Sequence, residues 1–151
     1  MAEYNTVLTL TKSEVITMRK TQNALRRYSI QTSSESQLLS ALGAISGLSG
    51  IFTYFVTSVT FGALSAFAGY CISLVSYINN PFRETLLRTS LNGSDYLLDM
   101  EDYVIDNNLK AIKINVPMIE IIENRKKLRF VAGRGELLGV QTATGTWVTM
   151  G

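Results

Sequence analysis

SALGAISGLSGIFTYFVTSVTFGALSAFAGYCISLVSY, residues 40–77, lies a third of the way into a chain of 151 residues that carries charge on both sides of it. From Ser36 to Phe82 no side chain is charged, a run of 47 residues. One bilayer span takes about 20 apolar residues, so the run has room for two. A reversal at Thr57–Thr60 divides it into helices from about Glu35 to Val56 and from Val59 to Ile78. These form a predicted hairpin whose uncharged tip crosses a bilayer without moving a charge, which costs about 2.5–3.5 kcal/mol at the centre on the mildest scale.

Small residues recur in both halves. Ser36, Ser40, Gly43, Gly47 and Gly50 step by fours and threes in the first, and Gly62, Ala66, Gly69, Ser73 and Ser76 do so in the second. On helices these positions form narrow, smooth seams, and small residues at such spacing let backbones approach where helices associate in lipid. The seams are the predicted packing surfaces, within the hairpin or between subunits. A bland account also holds: glycine at these positions makes poor helices, at up to about 1 kcal/mol per residue relative to alanine.

The flanks suit a bilayer. Arg26 and Arg27 precede the first half, Arg83 and Arg88 follow the second, and Tyr70 and Tyr77 sit near one end; this basic bias places both ends of the hairpin on one side. Upstream, Thr11 and Glu14 have capping-box spacing, with Leu10 and Val15 around them as a hydrophobic staple. They predict a helix over 12–30, apolar at Val15, Met18, Leu25 and Tyr28 and basic at Arg19, Lys20, Arg26 and Arg27. Those four cations are the expected membrane-surface contacts, although a helix of this pattern also packs on its own protein with its charges in water. Ser34 and Gln37 repeat the capping spacing and start the next helix.

Beyond the apolar block, Asn80 as N-cap, Pro81 in the first turn and Gly93 as a stop predict a short helix over 81–92. Asp95, Asp99, Glu101, Asp102 and Asp106 follow without calcium-loop spacing and read as a solvated acidic connector. From residue 110 the periodicity changes to two. Ile112, Ile114 and Val116 alternate with Lys113 and Asn115, and MIEII, KLRFVAG, ELLGVQT and TWVTM are separated by ENRK, GRG and ATG; an antiparallel meander of four or five short strands is expected. Arg125, Lys126, Lys127 and Arg129 read as a solvated hairpin end, with a phosphate or lipid-headgroup contact as the alternative.

Composition narrows the chemistry. There is no histidine, so the commonest general base and metal ligand is missing. Cys71 is the sole cysteine and sits in the apolar block, which removes an internal disulfide, a CxxC motif and a cysteine-rich zinc site. GRGELLG lacks the lysine and hydroxyl of a phosphate loop. Net charge is +2, with no interleaved aromatics beside the basic run, so nucleic acid is not an expected partner. No catalytic residue, cofactor, metal or small-molecule substrate is expected.

The expected class is α+β, in four regions: an amphipathic cationic helix over 1–33, the apolar hairpin over 34–80, a short helix and acidic connector over 81–109, and a small β region over 110–151. For a soluble fold, the polar helices would have to enclose two helices that are apolar all round, and too few are available. A non-enzymatic membrane-inserting, self-associating protein of the toxin or bacteriocin kind is therefore the leading expectation, partnered by lipid and by copies of itself. The apolar block alone is generically similar to the hydrophobic hairpins of pore-forming bacteriocins. The N-terminal residues lack the basic start, apolar run and cleavage site of a secretory signal, so membrane association, or secretion without such a signal, is expected. The alternative is a structural subunit of a virion, filament or membrane scaffold that buries the hairpin between neighbours.

Overall fold

A strand at the N-terminus, which the periodicity reading leaves unassigned, holds the two ends of the fold together. The computed structural model describes residues 2–57, 59 and 61–150, and in it β1 (Ala2–Thr11) lies antiparallel along β2 (Ala111–Glu123) in unbroken register from Ala2↔Glu120 to Thr11↔Ala111. Leu8 and Leu10 turn into the core while Val7 and Thr9 stay exposed, the alternation of a half-covered strand.

β2 carries the rest of the sheet. On its other edge β3 (Lys126–Val131) pairs with its C-terminal half and β4 (Glu136–Gln141) with its N-terminal half; β5 (Trp147–Thr149) extends the sheet from β4. The expected KAIKINV and MIEII strands are thus one strand running through Pro117. That proline is tolerated because of where it faces. Its carbonyl accepts the Ala132 N–H at 2.8 Å, so its missing N–H lies on the same edge, in the gap between the Met118↔Val131 and Asn115↔Glu136 pairs. The β2–β3 turn has Asn124 and Arg125 at φ 50° and 67°, the double positive φ of a tight hairpin turn whose twist matches the strands.

The expected first helix forms, as α1 (Lys12–Leu25) with a wider π-helical turn over Arg26–Gln31. Both capping-box bonds are made: Thr11 Oγ1 accepts the Glu14 N–H at 3.2 Å, and Glu14 Oε1 accepts the Thr11 N–H at 2.9 Å. Val15, Met18, Ala24 and Leu25 are buried. Ser34 also caps as expected, accepting the Gln37 N–H at 3.3 Å.

The predicted hairpin of span-length helices does not form. Residues 35–56 break into α2 (Glu35–Gly43), a 3₁₀ turn (Leu48–Gly50) and α3 (Phe52–Phe55), and the second half holds only α4 (Leu64–Val75), of 12 residues. Gly47 makes the break, at φ 72° in the left-handed region that suits glycine. The expected reversal at Thr57–Thr60 includes Ser58 and Thr60, which lie outside the described residues. Among those described, no single helix is long and apolar enough to cross a membrane, although α2 and Leu48–Phe55, bent by 109°, pass that test as a pair.

Cover for this block comes from a source the helix tally overlooks. Phe55 meets Phe130 of β3 edge-on, α4 packs on β2 and β3, and α1 packs against α2. The short helix predicted to stop at Gly93 is instead α5 (Asn80–Asp106), 27 residues long, and the expected acidic connector forms its second half. Asn79 is the N-cap, one residue earlier than expected, and accepts the Phe82 N–H at 2.9 Å. Gly93 sits mid-helix because β3 ends against it: a Cβ there would lie 1.8 Å from the Val131 carbonyl oxygen. One buried cluster, from Leu8 through Leu38, Phe67 and Leu97 to Val140, draws on all four sequence regions.

Candidate membrane-facing surface

The uncharged block buries most of its large apolar side chains and exposes most of its glycines and serines, with Leu39, Val59 and Tyr77 also exposed. Leu38, Leu42, Phe67, Cys71 and Leu74 are buried, while Ser36, Ser40, Gly43, Gly47, Gly50, Gly62, Ala66 and Ser76 are exposed, and Gly69 and Ser73 half-buried. The predicted seams therefore do not interlock. Only Gly43 and Gly69 mark the α2–α4 approach, where an added Cβ would come within 3.9 Å of Leu64 and 3.1 Å of the Glu35 carboxylate respectively. Each seam loses its helical continuation: Gly47 and Gly50 lie in turns, Gly62 precedes α4, and Ser76 caps it. What the small residues make instead is a smooth outer surface.

Polar pins hold this block to its neighbours. The Tyr54 hydroxyl donates to Glu14 Oε2 at 3.2 Å on α1. Tyr70 reaches β3, its hydroxyl accepting the Lys127 N–H at 2.9 Å and donating to the Lys127 carbonyl at 3.2 Å. Burial pushes both phenols above their ordinary pKa; the Glu14 charge adds to the effect at Tyr54, and the Lys127 backbone bond opposes it at Tyr70.

Arg129, read from the sequence as part of a solvated basic end, is only 9% exposed. Its Nε–H donates to the Tyr54 carbonyl at 2.7 Å, and its Nη1 donates at 3.3 Å to the Tyr4 hydroxyl, which in turn donates to Glu120 Oε2 at 3.1 Å. Glu120 is buried too, cross-strand from Arg129, so a buried acid and base share a tyrosine between them.

The four cations expected at a membrane surface divide. Arg19 pairs with the Glu101 carboxylate of α5, and Arg26 donates through Nε to the Leu87 carbonyl at 3.1 Å. Lys20 and Arg27 are exposed, with Arg27 over the Tyr28 ring at 5.4 Å. The apolar side of α1, which adsorption would need, is spent in the core. In this fold that side packs on α5 and α2.

Cys71 is buried, and desolvation raises its thiol pKa well above the ordinary value, which keeps it a packed, protonated side chain. No group of three or more histidine, cysteine, aspartate or glutamate side chains placed to hold a metal occurs among the described residues. Among the shallow cavities of the surface, two lie beside charged side chains of α1 and β2. One, of about 280 Å³, lies between α1 and the turn after α2, beside Glu14, Lys20, Ser46 and Gly47. The other, of about 540 Å³, lies on the outer face of the sheet beside Lys113, Gly139 and Trp147. The first is lined by Glu14, Lys20 and the hydroxyls of Ser13, Thr17 and Ser46, of which Glu14 is engaged by the Thr11 N–H and the Tyr54 hydroxyl and Thr17 by the Ser46 carbonyl. Trp147, 46% exposed beside the Gly139 dip, went unnoticed in the sequence because nothing in a three-residue strand marks which side of it is covered.

Comparison of the chain with protein-family models, with curated proteins and with solved structures finds no match.

Proposed function

We propose that the chain is a non-enzymatic protein that associates with lipid bilayers and with copies of itself through its uncharged block, in the manner of a permeabilising toxin or bacteriocin. One observation carries the reading: within a run of 47 uncharged residues, most of the described small side chains, with Leu39, Val59 and Tyr77, lie at the surface. Laying that surface on a bilayer desolvates no ionised side chain of the block, and ionised side chains are what make membrane contact costly. The folded state is the water-borne form. Insertion then requires α2, α3 and α4 to leave β3 and α1 and to re-form as longer helices, in which the seams regain the continuous spacing that packing in lipid uses.

The test is co-sedimentation and dye release with anionic liposomes, comparing the native chain with Gly50→Asp and Gly62→Asp. Both glycines have open space around a would-be Cβ, and neither has a positive φ, so the variants keep the fold and add charge to the surface. Binding and leakage that fall at least tenfold in the variants support the proposal; no binding by the native chain, or leakage indifferent to the added charge, overturns it.

A second reading, a structural subunit, draws on a different observation. β1 pairs on one side only and offers its other edge over ten residues, with Glu3 as its single charge and no bulge in its register. Natural edges are normally blunted by charge, proline or bulges. Assembly without lipid or detergent, at rising concentration in sedimentation velocity, favours this reading over the first.

A further inference from the structure

α5 exposes three large apolar side chains at seven-residue intervals: Leu91 (41%), Leu98 (41%) and Ile105 (46%). Seven residues are two helical turns, so they form one line about 21 Å long. Along one side of that line Asp95 and Asp102 stand four residues after Leu91 and Leu98, and Asp99 and Asp106 directly follow Leu98 and Ile105; all four are exposed. Along the other side runs the α1 contact, where Arg19 holds Glu101 and Arg26 holds the Leu87 carbonyl. An apolar line thus lies between an acidic ridge and a helix whose outer face carries Lys20 and Arg27. Among the described residues, only Asp99 of the ridge carboxylates has a cation in contact, the exposed Arg134 at 3.3 Å.

We infer that this line is a docking site for an amphipathic helix of another protein, apolar on one stripe and rich in lysine or arginine along the edge that meets the ridge. Two leucines and an isoleucine at heptad spacing on one exposed helix match the seam along which a second helix packs, and the ridge carboxylates set the sign of the partner. An antiparallel second copy of this chain does not fit, whereas a parallel one, which sets the aspartates opposite the copy's α1 cations, is an outcome that the test separates. The two-fold axis that pairs α5 antiparallel with its copy keeps each side of the line beside its own like, so the aspartates face aspartates and the cations of α1 face cations. The chain's own cationic helix is also unavailable, since its apolar side is buried. The inference is independent of the bilayer reading.

The test uses the full chain and a fluorescent 21-residue peptide built of heptads, leucine at one position and lysine along one edge, read by anisotropy. A glutamate counterpart of the same peptide serves as control. Saturable binding of the lysine peptide is expected, at least tenfold tighter than the control and weakened at least tenfold between low and high salt. Leu98→Gln with Ile105→Gln, and separately Asp95→Lys with Asp102→Lys, each lower the affinity at least tenfold. These are surface changes, and an unaltered melting temperature verifies the fold. Equal affinity for the two peptides, no binding, or an affinity indifferent to either pair of substitutions overturns the inference. So does a dimer of the native chain that Leu98→Gln dissolves, which gives the line to a second copy.

Discussion

Gln22 treats Val131 as a strand neighbour: its side-chain Oε1 accepts the Val131 N–H at 2.8 Å, and its Nε2 donates to the Val131 carbonyl at 2.9 Å. The same Nε2 also donates to the Ser90 carbonyl at 2.9 Å. Gln22 is fully buried, so one amide on α1 satisfies the end of β3 and links it to α5. Gln22→Leu removes all three bonds and leaves buried backbone groups unpaired, at about 1–3 kcal/mol for each group stranded. A loss of at least 2 kcal/mol in urea unfolding is expected; a loss under 1 would mean that the three elements hold together without the amide.

Gly93 lies beside the same junction. Its α5 backbone touches the Val131 carbonyl so closely that any Cβ must push helix and strand apart. Although alanine is the better helix former by about 1 kcal/mol, Gly93→Ala is expected to destabilise strongly, whereas Gly62→Ala, with open space around it, leaves stability unchanged or slightly improved. Thermal unfolding of the two variants side by side gives the comparison, and a stabilising Gly93→Ala would contradict the close packing.

Arg129 and Glu120 share the Tyr4 hydroxyl in a buried site. Removing only the base, as in Arg129→Met, leaves the Tyr54 carbonyl without its donor and the Glu120 carboxylate held by Tyr4 alone, at about 1–3 kcal/mol for the group left unpaired. Adding Glu120→Gln to that variant recovers part of the loss. The double-mutant cycle reads the coupling directly, and additive effects would show that the two groups act separately.

Tyr54, Tyr70 and Tyr96 all have phenol pKa values raised above 10.0, chiefly by burial. A raised pKa in the fold means that the unfolded chain ionises first. The stability these phenols contribute is full below pH 10 and is lost as pH climbs through the folded values. Melting temperature is therefore expected to hold to about pH 9.5 and then to fall more steeply than in Tyr54→Phe. A native chain whose alkaline limb matches that of the variant would remove Tyr54 from the account.

Cys71 reports on α4. Buried and protonated, it is expected to react with a maleimide at least a hundredfold more slowly than in the urea-unfolded chain. If anionic liposomes draw the uncharged block out of the fold, labelling accelerates on their addition. Slow labelling in the presence of bound liposomes would mean adsorption without rearrangement.

Signals in the sequence are legible where the chemistry is local. The Thr11–Glu14 box, the Ser34 cap and the alternation after residue 110 depend on neighbours within four residues, and each appears in the structure. Three features depend on distant partners and were not legible. Gly93 resembles a helix stop until Val131 is seen against it. β1 is half polar and offers little apolar alternation until β2 is placed beside it. The residues between Ser36 and Phe82 predict span-length helices because composition records that apolar side chains need cover and not whether lipid or Phe130 provides it. The seams were visible as spacing, but their direction was not, since that follows from which side β3 and α1 occupy.

The pairing of β1 with β2 has a consequence for synthesis. Every residue between Thr11 and Ala111 is a loop closed by those two strands, with Lys12 N–H on the Lys110 carbonyl at its base. At about 5–20 residues per second, a ribosome takes about 2–8 s to advance from residue 82 to residue 120. Throughout that interval the uncharged block has left the ribosome's active centre while β3, its cover, has yet to be made. Whatever the nascent chain meets in those seconds, a chaperone, a bilayer or its own next forty residues, competes for the same apolar side chains.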